Sequence, residues 1–290
     1  MLTTLLKTFI FILGLVVGSF LNVCIYRMSR EISIRKPNRS FCPHCKKTIP
    51  WYDNIPVVSF ILLKARCRFC SGKISWQYPV VELITGIMFV ILYNYFGLSW
   101  ALLVYGIFIA GLIISTFTDI EERIIPDEIS LGGIVVGLIL SVIFPFMHKA
   151  PTMMVSGYRS ILGIIIGGGI LYLFAIIGDI LFFKIGDFIS QKLFKKEIYL
   201  KKQFKEGEEP STMGGGDIKL LAMIGAFLGW QQALVTLFLS CILAAITGII
   251  IKIKTKGSLI AFGPFIVVAA IISLFFGEEL IYFFTRAFYF

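Results

Sequence analysis

Residues 99–127 read SWALLVYGIFIAGLIISTFTDIEERIIPD. From Trp100 to Thr118 no side chain is charged, and then Asp119, Glu121, Glu122 and Arg123 arrive together. The apolar part reaches the roughly 20 residues with which a helix crosses about 30 Å of hydrocarbon. Its sharp end marks a boundary between lipid and water, and Asp119 stands on that boundary.

Comparable apolar runs extend on both sides, at about 8–26, 79–96, 128–147, 160–183, 218–230, 231–251 and 260–284. The whole chain is 58% hydrophobic and 15% charged, with a mean hydropathy of +0.90. Soluble domains are nearer half apolar and about a quarter charged. The expectation is an all-α polytopic membrane protein of about eight transmembrane helices. The 218–230 run is too short to span alone, so the range is six to eight. The first run lacks a small-residue cleavage pattern and leads into Arg27 and Arg30, which reads as a retained helix and not a removed signal. Glycines four apart, Gly133/Gly137 and Gly163/Gly167, fit close helix contacts, although glycine is frequent in such helices anyway. No internal repeat or low-complexity tract stands out.

Two stretches are polar. Residues 27–78 are rich in Lys and Arg, with four prolines and four cysteines, and 184–216 contains Lys195-Lys196, Lys201-Lys202 and Gly207-Glu208-Glu209-Pro210. The organisation expected is a first transmembrane helix at 1–26, a small cytoplasmic domain at 27–78, and a multi-helix domain at 79–290 with a cytoplasmic loop at 184–216. Basic residues are retained on the cytoplasmic side. With 27–78 inside, 23 of the 27 Lys and Arg fall on that side, leaving only Lys7, Lys149, Arg159 and Arg286. Both termini then face out. The net charge of +10 therefore reports topology and anionic lipid head groups, and nucleic acid is not expected as a partner. No oligomeric state follows from the sequence.

Cys42-Pro-His-Cys45 and Cys67-Arg-Phe-Cys70 form two Cys-x-x-Cys pairs. Each presents two thiolates from a tight turn, and two such knuckles make a tetrahedral four-sulfur zinc site with no open position, hence a structural one. A segment of some 50 residues with few large apolar side chains also needs such a staple. Redox-active or disulfide pairs are the rival reading; a reducing cytoplasm favours zinc. His44 reads as a turn residue. Cys24 and Cys241 lie in apolar runs and read as core.

The inventory excludes several chemistries. Neither His44 nor His148 lies in a His-Glu-x-x-His helix, and there is no Gly-x-Ser-x-Gly elbow, phosphate loop or dinucleotide fingerprint in a strand–helix setting. Carboxylates remain. Asp119 ends one apolar run; Asp217 follows Gly214-Gly215-Gly216 and opens another. The topology puts both at the cytoplasmic face, where an unpaired carboxylate is costly. Two carboxylates sharing a water cannot both ionise easily, so one can take a proton while the other gives one. The glycines are expected to admit a substrate backbone and to let Asp217 adopt a conformation that other residues resist. Lys219 is placed to keep Asp217 charged. Each aspartate alone reads equally as a helix cap or an interfacial charge, with Asp127 after Pro126 a good cap candidate. Glu82 and Asp179 read as structural. Aspartyl protease, proton-coupled transporter and non-catalytic zinc-ribbon scaffold all stay open on these grounds.

A wider set of motifs bears on the choice. These are Gly18-Ser-Phe-Leu-Asn22-Val-Cys-Ile-Tyr-Arg27, the cysteine quartet, Pro50-Trp-Tyr-Asp53-Asn-Ile-Pro56 and Tyr78-Pro-Val-Val-Glu82. Asp119 with Ile125-Pro126-Asp127, Gly214-x-Gly216-Asp217-x-Lys219 and Phe262-Gly-Pro264-Phe complete it. In this order, from residue 18 to 265, they resemble the bacterial type IV prepilin peptidases, including the pseudopilin-processing enzymes of type II secretion. The resemblance implies an inner-membrane aspartyl peptidase, with a Gly-x-Gly-Asp element like that of presenilin-type proteases and Asp119 and Asp217 as its catalytic pair. It implies prepilin or pseudopilin substrates, cut after a glycine that follows a short basic leader. It also implies N-methylation of the new terminus with S-adenosylmethionine, an activity associated with the Cys-containing domain. The acidic residues Glu121, Glu122, Asp127 and Glu128 would suit a basic leader or serve as a solvated loop.

Overall fold

The structure, a computed structural model, describes residues 2–34, 39–181, 213–254 and 261–288. Most of the expected loop at 184–216 lies outside the described residues. The chain divides into two compact units, Met1–Ile129 and Ser130–Phe290. The first contains α1 (Leu2–Met28), a 3₁₀ turn at Trp51–Asn54, α2 (Val58–Leu62), α3 (Gln77–Phe96), α4 (Trp100–Glu122) and the first turn of α5 (Asp127–Ile143). The second contains the rest of α5, a 3₁₀ turn at Pro145–His148, α6 (Met153–Asp179), α7 (Gly215–Leu228), α8 (Trp230–Lys254) and α9 (Gly263–Phe288).

Six of these helices, α1, α3, α4, α6, α8 and α9, are long and apolar enough to cross a membrane. The expectation of an all-α multi-pass membrane protein is met, with six such helices among the described residues. There is no β-strand among the described residues, only two isolated bridges. The breaks come where the chain chemistry demands them. α3 ends at Gly97, in a left-handed conformation at φ 64° that glycine adopts without a Cβ clash. α4 ends as Arg123 turns left-handed and returns its N–H to the Asp119 carbonyl at 3.0 Å; Pro126 then bars its continuation.

In the first unit, α1 and α3 approach through small residues. A Cβ on Gly14 would lie 2.7 Å from the Gly86 Cα, and one on Gly18 would lie 2.7 Å from the Glu82 Cα. Without a hydrophobic drive between helices in lipid, such contact is what holds them together.

In the second unit the centre is α7. Its 14 residues rise about 21 Å, too short for the hydrocarbon thickness. Every side chain from Leu220 to Leu228 is buried, as expected of a helix that is apolar all round and enclosed by others. The two expected glycine pairs both serve it. Gly133 and Gly137 of α5 make room for Met223 and Phe227, and Gly163 and Gly167 of α6 make room for the backbone of Gly225 and Leu221. The Ser160 hydroxyl adds a 2.9 Å bond to the Ala226 carbonyl. His148 also belongs to this packing: its ring is hydrogen-bonded to the Ala226 carbonyl, and burial pulls its pKa down to about 4.

A Cβ on Gly163 would collide with the Gly225 carbonyl oxygen, whereas one on Gly169 would meet nothing. Gly163→Ala is therefore expected to destabilise by about 1–3 kcal/mol through overpacking. Gly169→Ala should be neutral or slightly stabilising. Thermal unfolding of both purified variants in one detergent checks this.

Candidate functional site

The two Cys-x-x-Cys stretches fold into the same turn twice, 25 positions apart in the chain. In the first, Cys42 N–H donates to the Lys47 carbonyl at 2.9 Å and Lys46 N–H to the Cys42 carbonyl at 2.9 Å. In the second, Cys67 N–H donates to the Gly72 carbonyl at 2.8 Å and Ser71 N–H to the Cys67 carbonyl at 2.9 Å. Lys46 and Ser71, each just after its second cysteine, are both left-handed, at φ 59° and 56°. The bridges Phe41–Thr48 and Arg66–Lys73 close the two turns alike. A local repeat is thus present that the sequence did not betray, because backbone hydrogen bonds and two cysteines define it while the other side chains differ.

The turns bring the sulfurs of Cys42, Cys45, Cys67 and Cys70 within 4.8 Å of one another. All four are free thiols, with Cys42 and Cys70 3.9 Å apart. Two sulfurs on one tetrahedral zinc, each about 2.3 Å from it, lie about 3.8 Å from each other. The N–H groups of Cys70 and Phe69 draw the Cys67 thiol down to about 7. Cys70 is favoured as thiolate by the Gly72 N–H, yet desolvation and the sulfurs of Cys67, Cys45 and Cys42 push it up to about 11. Four such sulfurs cannot all be charged without a cation among them. The cluster can hold a metal ion, and its donor set suits zinc.

Polar contacts tie this segment to the helices of its own unit. Arg27, 3% exposed, donates to the carbonyls of Ser33, Ile34 and Arg39 at 3.2, 2.7 and 3.2 Å. Arg68 grips Asp53 through two bonds of 2.7 and 2.6 Å, which holds the Asp53 carboxyl below the usual range. From α1, Asn22 donates to the Tyr78 carbonyl at 3.0 Å. Glu82, read from the sequence as a structural residue within the bundle, accepts the Val57 N–H at 2.8 Å.

Asp119 lies in the last turn of α4, where it is only 7% exposed. It is not at a helix start, so the cap reading fails for it. Asp217 lies in the first turn of α7 and is half-buried. The two belong to different units, Asp119 to the first and Asp217 to the second. Gly214 has φ −66° and ψ 130°, an extended conformation open to any residue, and Gly215 and Gly216 are already helical. The expected conformational role of these glycines is not what is found. Gly214 instead leaves room for the Asp217 carboxylate, whose Oδ2 would lie 3.3 Å from an added Cβ. Lys219, two positions on, is about 200° around the helix from Asp217, so their nearness in sequence does not put them on one face. Of the four acidic residues after Asp119, Glu121 and Glu122 face Arg30 of α1 at 3.6 and 3.3 Å, and Asp127 and Glu128 open α5. An N-terminal turn is where acidic side chains are favoured.

A multi-pass membrane protein with a four-cysteine cluster able to hold a metal ion fits the class of membrane peptidases that the comparisons with known proteins define. Residues 12–96 match the bacterial peptidase A24 N-terminal domain, and residues 106–249 match the type IV leader peptidase family. A prepilin leader peptidase/N-methyltransferase of Myxococcus xanthus (strain DK1622) is 33% identical over 252 residues, which are 87% of this chain and 64% of that protein. One of Neisseria gonorrhoeae is 32% identical over 282 residues, 89% of this chain and 86% of that protein. One of Legionella pneumophila is 29% identical over 294 residues, 92% of this chain and 90% of that protein. No solved structure matches. The chain belongs to the type IV leader peptidase family.

Cys42→Ser or Cys70→Ser is expected to drop the bound metal from about one per chain toward none. It should also loosen the surrounding segment, because binding energy in such a site is folding energy. Elemental analysis and limited proteolysis of the purified variants check this; a metal-free parental protein with disulfide-bonded thiols would refute it.

Proposed function

We propose that this chain is an aspartic endopeptidase that removes the leader of type IV prepilins or pseudopilins after a glycine, at the cytoplasmic face of the bacterial inner membrane. It then N-methylates the new terminus. Membership of the family supports both activities, as do the relatives' names. The observation that carries the peptidase reading is Asp119: a buried carboxylate in the last turn of a membrane helix is costly, and such residues are kept for function.

In this reading Asp119 and Asp217 act together on one water. The charged member of the pair takes a proton from water, and the neutral member protonates the scissile carbonyl oxygen. The water oxygen bonds to the carbonyl carbon, and the C–N bond breaks as the leaving nitrogen takes up a proton. Gly214 and Gly216 support Asp217 and admit substrate backbone, and Lys219 contributes to the same helix end.

Residues 27–78 form a domain of their own, held by structural zinc on Cys42, Cys45, Cys67 and Cys70, between the first helix at 1–26 and the peptidase helices of 79–290. The basic residues of that segment and of 184–216 put both on the cytoplasmic side, with the termini outside. Membrane lipid is the surrounding partner and nucleic acid is none. S-adenosylmethionine, when bound, supplies an electrophilic methyl group to the amine that cleavage frees.

Asp119→Asn and Asp217→Asn should each lower prepilin cleavage by roughly 10³-fold or more. The double change should add little, since residues acting as a unit are not additive. Asp127→Asn and Asp179→Asn should do far less harm. Cleavage of a prepilin by folded, detergent-purified variants decides it, and a folded Asp217→Asn protein cutting at the parental rate would end the mechanism.

Methyl transfer should be separable from cleavage. Given an already cleaved pilin and labelled S-adenosylmethionine, Asp119→Asn protein should still transfer label. Absence of transfer by the unmutated protein would remove the second activity.

A further inference from the structure

The short helix α2 is inside out for a segment in water. Val58, Ile61 and Leu62, at i, i+3 and i+4, share one face, and they are 48%, 67% and 75% exposed. The buried side is the polar one. Ser59 is buried, and its hydroxyl donates to the Tyr52 carbonyl and accepts the Ile55 N–H, both at 3.0 Å. Just before the helix Ile55 is exposed as well, and Trp51 is 80% exposed. Single apolar residues are scattered over any soluble surface, but a grouped set marks an interaction site.

The depth of α2 is fixed by α3. Trp76 immediately precedes α3, a helix able to cross the membrane over Gln77–Phe96, and it is 71% exposed. That is the level, between head groups and acyl chains, at which tryptophan is favoured. The Phe60 ring of α2 packs against the Trp76 ring with centroids 4.9 Å apart. At the start of α2 the Val57 N–H donates to Glu82 at 2.8 Å. Glu82 comes five residues after Gln77 in α3, about 7.5 Å along the axis. Two ties thus hold α2 between the head of a membrane helix and its second turn. Interfacial helices lie at that depth, about 5–10 Å into the boundary. Val80, Leu83 and Ile84 of α3 are exposed at the same level, so the apolar face of α2 continues a surface that lipid already covers.

The backbone is held there against a local cost. Val57 has φ 60° and ψ −46°, a rare conformation for a β-branched residue. Such strain persists where the surroundings fix it, and here the Glu82 carboxylate does so. After the helix, Lys64 and Ala65 are both left-handed, at φ 50° and 57°. Lys64 and Arg66 are exposed and form no ion pair among the described residues. Basic side chains beside an apolar face are what an anionic lipid surface attracts.

We propose that Trp51, Ile55, Val58, Ile61, Leu62 and Trp76 form an interfacial anchor. It sinks one edge of the cysteine-containing segment into the head-group region of the bilayer, with Lys64 and Arg66 on the lipid phosphates. The segment then lies on the membrane and does not hang in water from α1 and α3. A helix of five residues is far too short to cross, so it rests along the surface.

The test uses the full metal-containing chain in nanodiscs of phosphatidylcholine and phosphatidylglycerol. Lipids brominated near the head of the acyl chain quench the tryptophans that reach them. The fluorescence lost on Trp51→Phe, taken as parent minus variant, should be strongly quenched, and so should that lost on Trp76→Phe. Independently, Ile61→Asp combined with Leu62→Asp should speed tryptic cleavage after Lys64 roughly tenfold or more, the least expected when two apolar side chains lose their burial in lipid. Metal content reports folding and should stay parental, because the substituted side chains are exposed; if it falls, the tryptophan readings alone decide. Unquenched Trp51 and Trp76 signals, or an unchanged cleavage rate in the folded double variant, overturn the anchor. A Trp51 signal that lipid leaves unquenched but that shifts when a prepilin is added overturns it too, and gives this face to the substrate.

Discussion

A backbone N–H or C=O facing hydrocarbon without a partner costs several kcal/mol, so a chain inside a bilayer must be helical until it leaves. The six long apolar helices obey this throughout. Polar chemistry is thereby driven to two kinds of place, the ends of helices and the segments between them. Asp119 is in the last turn of one helix and Asp217 in the first turn of another. The four cysteines are in a segment with almost no regular structure, which hydrogen-bonded turns and a metal can order where a hydrophobic core cannot. The same constraint explains α7. A helix too short to span can still be accommodated if it is enclosed, and glycines at 133, 137, 163 and 167 let its neighbours close over it.

Much of this was legible in the residues. The apolar runs gave the membrane class because length and hydropathy are nearly sufficient for it. The Cys-x-x-Cys pairs gave the cysteine cluster because spacing alone dictates a turn with two sulfurs on one side. The glycine pairs gave real contacts, though not their partner, since a four-residue spacing says that something is close without saying what. The failures are instructive. Gly214 looked like a residue chosen for an unusual φ, yet its value lies in the missing Cβ beside the Asp217 carboxylate. Gly14 and Gly18, also four apart, pack α1 on α3, a contact that the hydropathy of their run does not reveal.

Glu82 is the residue whose meaning changed most. In sequence it is one acid within an apolar helix, and a structural role was the natural reading. In the structure it does have one, since its carboxylate accepts from the Val57 N–H and from the Ser19 hydroxyl. The sequence could not show this, because Val57 is 25 residues away and nothing in its surroundings announces a left-handed turn.

This arrangement bears on why one chain would carry two chemistries. Peptide hydrolysis needs carboxylates at the membrane edge, wet enough to hold a water and dry enough to share a proton between them. Methyl transfer needs the opposite: a pocket where a sulfonium is held away from competing nucleophiles, and water is the most abundant of these. Helix ends supply the first environment. The second requires a lid of protein outside the bilayer, and a lid of some fifty residues with little core must be stapled. The cysteine turns that can hold a metal also line a cavity of that segment.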